Sequence, residues 1–200
     1  MPVNISIWAS GSGTNAENII LKFKNHPFIK IKFLVTNNPN AGVIKRAENL
    51  KKTIHIIPKN ILLEKTDRVL ELLQQEEIDL IVLAGFLIQV PEKIIQQYPN
   101  RIINIHPALL PKYGGKGFYG DRVHKAVLEN KEQYSGITIH YVNEKYDEGE
   151  IILQVKCPVN PDDTIETLAQ RVHQLEYEYY PQVIEKIATQ IYEQKHKNNA

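Results

Sequence analysis

A single cysteine, Cys157, in a chain of 200 residues excludes an intrachain disulfide and points to a reducing compartment. Charge of one sign is equally scarce. The 24 lysines and arginines against 23 aspartates and glutamates leave a net +1, so no global field draws the chain to nucleic acid or an anionic membrane. No apolar run approaches the roughly 20 residues that span a bilayer. The opening MPVNISIWAS lacks the basic segment and long apolar stretch of a secretory signal. The seven histidines include no H-E-x-x-H and no close cysteine partner, so no metal centre is expected. No serine sits in a G-x-S-x-G elbow and Cys157 lies inside an apparent strand, which argues against a nucleophilic triad. No repeat, linker or low-complexity block interrupts the chain. These absences leave a cytoplasmic single domain over residues 1–200, long enough to bury a sizeable core.

What the sequence does contain is alternation. VNISIWA (3–9), IKIKFLVTN (29–37), TIHIIP (53–58), IDLIVLAGF (78–86) and RIINIHP (101–107) read as strands. Between them AENIILKFK, AGVIKRAENL, LLEKTDRVLELLQQEE and EKIIQQY carry helical spacing, the third as one helix with a broad stripe from Leu62 to Leu73. Strands alternating with helices predict a parallel sheet with right-handed crossovers. Later, SGITIHYV and EIILQVKCPV alternate more and flank the polar turn NEKYDEGE, as antiparallel neighbours do. A last helix is expected to start near Asp163, capped by Asp162 or Asp163 with Glu166 in its first turn, and to reach about Ile191. The polar tail EQKHKNNA is expected to fray. The fold class is α/β: a Rossmann-like three-layer α/β/α fold, its central sheet mostly parallel with an antiparallel C-terminal portion.

Gly11-Ser12-Gly13-Thr14-Asn15-Ala16 lies between the first strand and the first helix and fits G-x-G-x-x-A. Glycines admit an anion close to the backbone, and a helix N-terminus offers unpaired N–H groups. A dinucleotide reading wants an acidic residue at the end of the second strand. That place reads Thr36-Asn37-Asn38, and the next acid is Glu48. A single phosphate gripped by Gly13, Thr14 and Asn15 suits the loop better. The plain alternative is a tight turn with Asn15 or Thr14 as a helix cap.

The strand RIINIHP places Asn104 and His106 on one face, at its C-terminal end, where open α/β sheets bind ligands. A histidine near a core strand is more often structural. Here, however, a neutral donor shares its face, and the long glycine-rich ALLPKYGGKGFYGD follows. The later turn supplies four carboxylates, Glu144, Asp147, Glu148 and Glu150. One of them beside His106 would raise its pKa and keep it cationic as an acid or oxyanion stabiliser, with Asn104 as a second donor.

At these residues the chain resembles the folate-dependent phosphoribosylglycinamide formyltransferases of purine synthesis, a family of one-carbon transferases. SGSGTN is similar to the family's ribose-phosphate loop, DLIVLAGF with LIQV to its folate-cleft strand, NIHPALLPKY to its catalytic segment, and YDEGEIILQ to the loop bearing its aspartate. The resemblance implies formyl transfer from 10-formyltetrahydrofolate to the amine of 5-phosphoribosyl-glycinamide, without metal, nucleic acid or membrane, by a monomer or dimer. It implies a catalytic trio of Asn104, His106 and Asp147. Gly13, Thr14 and Asn15 would hold the nucleotide, with Glu176 and His124 as further contacts. Leu87, Ile88, Gln89, Val90 and Asn104 would border the folate, and Val142, Asn143 and Glu144, in the segment up to Asp147, would wrap its pteridine. The phosphate-loop half would cover about 1–100 and the folate and catalytic half about 101–190. Ile88 and Leu62 stand where many members carry arginines, and KYGGKGFYGDRVH is longer than its counterparts, with Lys116 or Arg122 as candidate anion contacts. Methionyl-tRNA formyltransferases and formyltetrahydrofolate deformylases share a similar core. The first add an RNA-binding domain and the second an N-terminal regulatory domain, neither of which is expected here.

Overall fold

Residues 1–197 are described by a computed structural model. The strands are β1 (Val3–Trp8), β2 (Ile29–Thr36), β3 (Thr53–Ile56), β4 (Leu80–Leu83), β5 (Ile102–His106), β6 (Tyr134–Tyr141) and β7 (Ile151–Pro158). They lie in one sheet in the order β3-β2-β1-β4-β5-β6-β7. Pairing is parallel from β3 to β5 and antiparallel for β5–β6 and β6–β7, so both halves of the expected sheet are present. The helices are α1 (Thr14–Lys22), α2 (Gly42–Asn49), α3 (Lys59–Glu64), α4 (Thr66–Gln75), α5 (Glu92–Gln97), α6 (Asp121–Glu129) and α7 (Ile165–Lys197).

Strand alternation divides the core into two layers. Val3, Ile5 and Ile7 of β1 pack with Ile19 of α1, Val43 of α2, Val127 of α6 and Ile184 of α7. Trp8 points the other way, to Leu62 of α3, Leu73 of α4 and Ile94 of α5. Every residue of β1 is buried, as a central strand covered on both faces requires. Each fully buried Leu or Ile contributes roughly 1.5–3 kcal/mol. The two polar residues of β1 are both satisfied: Ser6 Oγ accepts from the Trp8 Nε1–H at 3.0 Å, and Asn4 Nδ2 donates to the Glu77 carbonyl at 3.1 Å. Among the described residues no helix is long and apolar enough to cross a membrane.

Four local expectations need correction. The segment 62–77 is two helices, α3 and α4. The chain leaves helical geometry at Lys65 (φ −121°, ψ 37°), and Thr66 Oγ1 donates to the Leu62 carbonyl at 2.8 Å. Leu63 is therefore half exposed, outside the apolar stripe. Residues 121–129 form α6, a helix whose Val123/Val127 spacing was readable but was overshadowed by the glycine-rich run before it. The cap of α7 is Thr164, not Asp162 or Asp163. Its Oγ1 accepts from Thr167 N–H at 3.3 Å, while Thr167 Oγ1 accepts from Thr164 N–H at 2.9 Å. Asp163 is instead gripped by Arg171 through two contacts of 2.7 and 2.9 Å. Finally, α7 continues through Lys197, six residues past the expected end at Ile191, held in part by Lys195, which donates to Asp79 Oδ2 at 2.6 Å. The rest of the predicted frayed tail, 198–200, lies outside the described residues.

This topology fixes where a site can form. Connections from β1 run to β2 on one side, while β4 pairs with its other edge, which opens a crevice at the carboxyl ends of β1 and β4. Buried Tyr180 of α7 braces the floor there. Its hydroxyl lies 2.8 Å from the Leu83 carbonyl and 3.2 Å from that of Ile103.

Candidate active site

The crevice is a cavity of about 550 Å³, within the range of small-molecule sites. One wall is the turn between β1 and α1. Gly13 has φ +77°, and a Cβ there would sit 2.5 Å from Cβ of Val43, so only glycine fits. Gly11 faces open space, leaving the backbone approachable. The loop is pinned from behind by α2: Val43 N–H donates to the Gly11 carbonyl at 3.1 Å, and Arg46 Nε–H to that of Ser12 at 2.9 Å. No side chain caps α1, which leaves its first N–H groups open where Gly13, Thr14 and Asn15 line the cavity, against the plain reading of Asn15 or Thr14 as a cap. Asn15 instead donates through Nδ2 to Glu176 Oε2 at 2.8 Å. At the end of β2, Asn37 Oδ1 accepts a hydrogen bond from Ser10, so the place where a dinucleotide site wants an acid holds a structural amide.

The opposite wall carries the polar pair. Asn104 and His106 both line the cavity, and the turn after β6 brings Asp147 between them and a second imidazole, His140. Asp147 Oδ2 lies 3.6 Å from His106 Nδ1 and Oδ1 lies 3.6 Å from His140 Nε2. Gly115 N–H, from the glycine-rich segment, donates to Asp147 Oδ2 at 2.9 Å. Asp147 holds a left-handed backbone, φ +55°, which turns its carboxylate inward and is unusual outside glycine. Asn104 Nδ2 donates to His140 Nε2 at 3.1 Å and approaches Asp147 Oδ1 at 3.5 Å.

Carbonyl oxygens assign the protons on both rings. His106 Nε2–H donates to the Tyr113 carbonyl at 2.7 Å, and His140 Nδ1–H to the Tyr141 carbonyl at 2.8 Å. A proton gained by His106 therefore enters at Nδ1, facing Asp147. Burial pushes the His106 pKa below its ordinary value, outweighing the pull of Asp147 and the Tyr113 carbonyl, with His140 adding to the depression. The direction is the opposite of the expected rise, because burial of the ring outweighs the adjacent carboxylate. Burial also opposes ionisation of Asp147, but His140, His106 and the Gly115 N–H together hold its carboxyl below the usual range.

The remaining expected residues divide. Gly13, Thr14, Asn15, His124, Glu176 and Leu87 all line the same cavity. His124 is 1% exposed, and burial, with help from His173, drives its pKa down to about 4, against the opposite pull of Asp121. Among the described residues, His124 Nδ1 and Asn15 Oδ1 are buried without a hydrogen-bond partner. Such groups cost about 1–3 kcal/mol each unless a ligand or water meets them. Burial raises the pKa of Glu176 against the hydrogen bond from Asn15 and the attraction of His173. Ile88, Gln89, Val90, Val142, Asn143 and Glu144 do not line this cavity. Val90 is buried in the second layer, with Ile88 and Val142 packed beside it, and Gln89 Nε2–H donates to the Glu144 carbonyl. His140 was not foreseen. Its signal was the register itself, since β6 pairs His140 with Asn104 and Thr138 with His106.

Comparison with known proteins finds relatives along nearly the whole chain. The sequence profile of the formyl transferase family matches residues 3–184. The chain is 39% identical over 186 residues to a chloroplastic phosphoribosylglycinamide formyltransferase of Arabidopsis thaliana, covering 90% of this chain and 63% of that protein. A chloroplastic relative from Vigna unguiculata is 38% identical, with 60% of its length covered. The chain thus spans under two thirds of these plant relatives. A phosphoribosylglycinamide formyltransferase of Bacillus subtilis is 36% identical over 186 residues, covering 91% of this chain and 93% of that one. Among solved structures, the phosphoribosylglycinamide formyltransferase of Anaplasma phagocytophilum superposes with a TM-score of 0.85 at 29% identity, over 95% of this chain and 89% of the other.

Proposed function

This chain belongs to the formyl transferase family, and from that premise we propose that it moves the formyl group of 10-formyltetrahydrofolate to the primary amine of 5-phosphoribosyl-glycinamide. The reaction is a step of purine biosynthesis, and the proposed setting is the cytoplasm. The observation that carries the reading is the placement of Asn104, His106 and Asp147 in one cavity with an uncapped, glycine-lined helix N-terminus.

In this reading residues 1–200 act as one formyltransferase domain, in which the phosphate-loop half, about 1–100, holds the nucleotide phosphate at Gly13, Thr14 and Asn15. The catalytic half, about 101–190, supplies Glu176 and His124 beside its ribosyl-glycinamide part. The folate enters the cavity past Leu87 and Asn104, and residues 88–90 and 142–144, which lie outside the cavity lining, would border only the part of it that extends beyond. The amine attacks the formyl carbon and gives a tetrahedral centre with an oxyanion. Asn104 Nδ2 donates to that oxygen, exchanging its weak 3.5 Å approach to Asp147 for a stronger bond. The new ammonium gives its proton to His106 Nδ1, and Asp147 stabilises the imidazolium that results. The same proton passes to N10 as the C–N10 bond breaks, which frees tetrahydrofolate and restores neutral His106. Positioned proton transfer contributes about a hundredfold to ten-thousandfold, and holding two substrates in register removes roughly 7–11 kcal/mol of barrier.

The test is release of tetrahydrofolate, followed spectroscopically, with phosphoribosyl-glycinamide and with its phosphate-free riboside as acceptors. Turnover with the first and a KM raised at least a hundredfold for the second are expected. Equal use of both would refute the phosphate assignment, and no turnover with either would refute the activity.

A further inference from the structure

The register that sets His140 beside Asn104 has a second row. His106 of β5 pairs with Thr138 of β6, and Thr138 pairs with Gln154 of β7, the edge strand. Residues directly opposite each other in antiparallel strands project to one face, so these three side chains line up across the sheet. Thr138 is fully buried and Gln154 is exposed. Both direct polar atoms at the turn 108–110, which follows the strand that carries His106. Thr138 Oγ1 donates to the Ala108 carbonyl at 2.6 Å and accepts from Leu110 N–H at 3.0 Å. Gln154 Nε2 donates to the Leu110 carbonyl at 2.8 Å and to Thr138 Oγ1 at 2.9 Å. A carbonyl can only accept, so it is the amide nitrogen of Gln154 that faces the turn. With both lone pairs of Thr138 Oγ1 taken by Leu110 N–H and Gln154, the hydroxyl proton has one direction left, toward Ala108.

The turn clamped in this way lies between His106 and Tyr113, whose carbonyl accepts His106 Nε2–H at 2.7 Å and so leaves Nδ1 toward Asp147. A displacement of the turn moves that carbonyl and, with it, the ring. We propose that Gln154 is a positioning residue for His106: from the edge strand it fixes the turn 108–110, hence the Tyr113 carbonyl, hence the ring nitrogen presented to the reacting amine. Gln154 is not among the residues that line the cavity, so it acts without touching either substrate. The inference rests on the formyl-transfer reading, in which Nδ1 takes the proton.

The experiment compares wild type with Gln154→Leu, which removes both donors, and Gln154→Glu, which keeps the shape and puts a carboxylate in their place. In both variants kcat should fall about tenfold, less than the roughly hundredfold that a displacement of about 1 Å can cost, while both KM values stay within about twofold of wild type. Nitrogen-15 spectra of histidine-labelled protein read the ring itself, and the signals lost in His106→Asn belong to His106. They should show the Nε2–H tautomer in wild type and a mixture of tautomers in both variants. Wild-type kcat in Gln154→Glu would mean that shape and not hydrogen bonding matters, and would overturn the assignment. So would a fall in kcat with the His106 signals unchanged, or a rise in KM at constant kcat. The spectra need no turnover. If wild type transferred no formyl group yet the tautomer shifted in both variants, the activity reading would fail and the positioning role would stand. Unshifted signals in an active enzyme would remove the positioning role and leave the activity.

Discussion

Replacing Asp147 by asparagine removes one charge from the centre of the cleft and keeps every heavy-atom position filled. Asparagine tolerates the left-handed backbone that Asp147 adopts at φ +55°, so the turn should keep its shape. Its amide oxygen can still accept the Gly115 N–H. What is lost is the carboxylate 3.6 Å from His106 Nδ1, in a side chain only 12% exposed. Two unit charges at that distance attract by about 4–5 kcal/mol at an effective dielectric of about 20. The asparagine dipole and solvent recover part of this, leaving an expected loss of about 3 kcal/mol in stabilising the imidazolium formed during the reaction. That corresponds to a fall of about a hundredfold in kcat, with both KM values within a few fold. The pH profile supplies an independent sign. Burial lowers the His106 pKa and Asp147 opposes it, so removing Asp147 lets the pKa fall further. Activity that needs neutral His106 is lost as pH drops through this value, so the acid limb of kcat/KM should move to lower pH in Asp147→Asn. A kcat within threefold of wild type, or an acid limb displaced upward, would refute the reasoning.

Three further outcomes follow from the same contacts. His140→Ala should lower kcat about tenfold with little change in KM, because Asn104 loses the acceptor at 3.1 Å that orients it, and His140→Gln should recover part of the loss in the same assay. Gly13→Ala should destabilise the fold by about 2–4 kcal/mol, since the new Cβ meets Val43 at 2.5 Å in a left-handed backbone; a thermal midpoint within 2 °C or so of wild type would contradict this. Asp163→Asn should lower stability by about 2–3 kcal/mol, less than a fully buried pair because the Arg171 side chain is 26% exposed. The Arg171 guanidinium, against the opposing effect of burial, holds the Asp163 carboxyl well below the usual carboxylate range. Its stabilisation is complete above the unfolded value near pH 4 and is lost as pH falls through the folded one. Melting curves of wild type should therefore decline below about pH 4 more steeply than those of the variant.

The sheet was legible because its strands are apolar runs of the right length and its helices carry a 3.6-residue period. Asn104 and His106 were legible for the same reason, since alternation along β5 puts both on one face. By position alone Asp147 was one of four acids in its turn; the family resemblance singled it out from Glu144, Glu148 and Glu150, and the closed turn sets Gly115 N–H against its carboxylate. His140 was hidden because its role depends on the register between β5 and β6, a long-range pairing that no local pattern states. The direction of the His106 shift differs from the expected one for a physical reason. Sequence shows which groups can be neighbours but not how deeply they are desolvated, and at 4% exposure burial outweighs the adjacent carboxylate. The break between α3 and α4 was missed because the apolar stripe continues across Lys65 although the backbone does not.

The fate of the formyl carbon tests the account most directly. With 10-formyltetrahydrofolate labelled at that carbon and phosphoribosyl-glycinamide in excess, wild type should place the label on the glycinamide amine. His106→Asn should slow that transfer at least a hundredfold while still binding both substrates. Label appearing as free formate at a rate equal to folate consumption, or full-rate transfer by His106→Asn, would contradict an amine-directed cleft built around this imidazole.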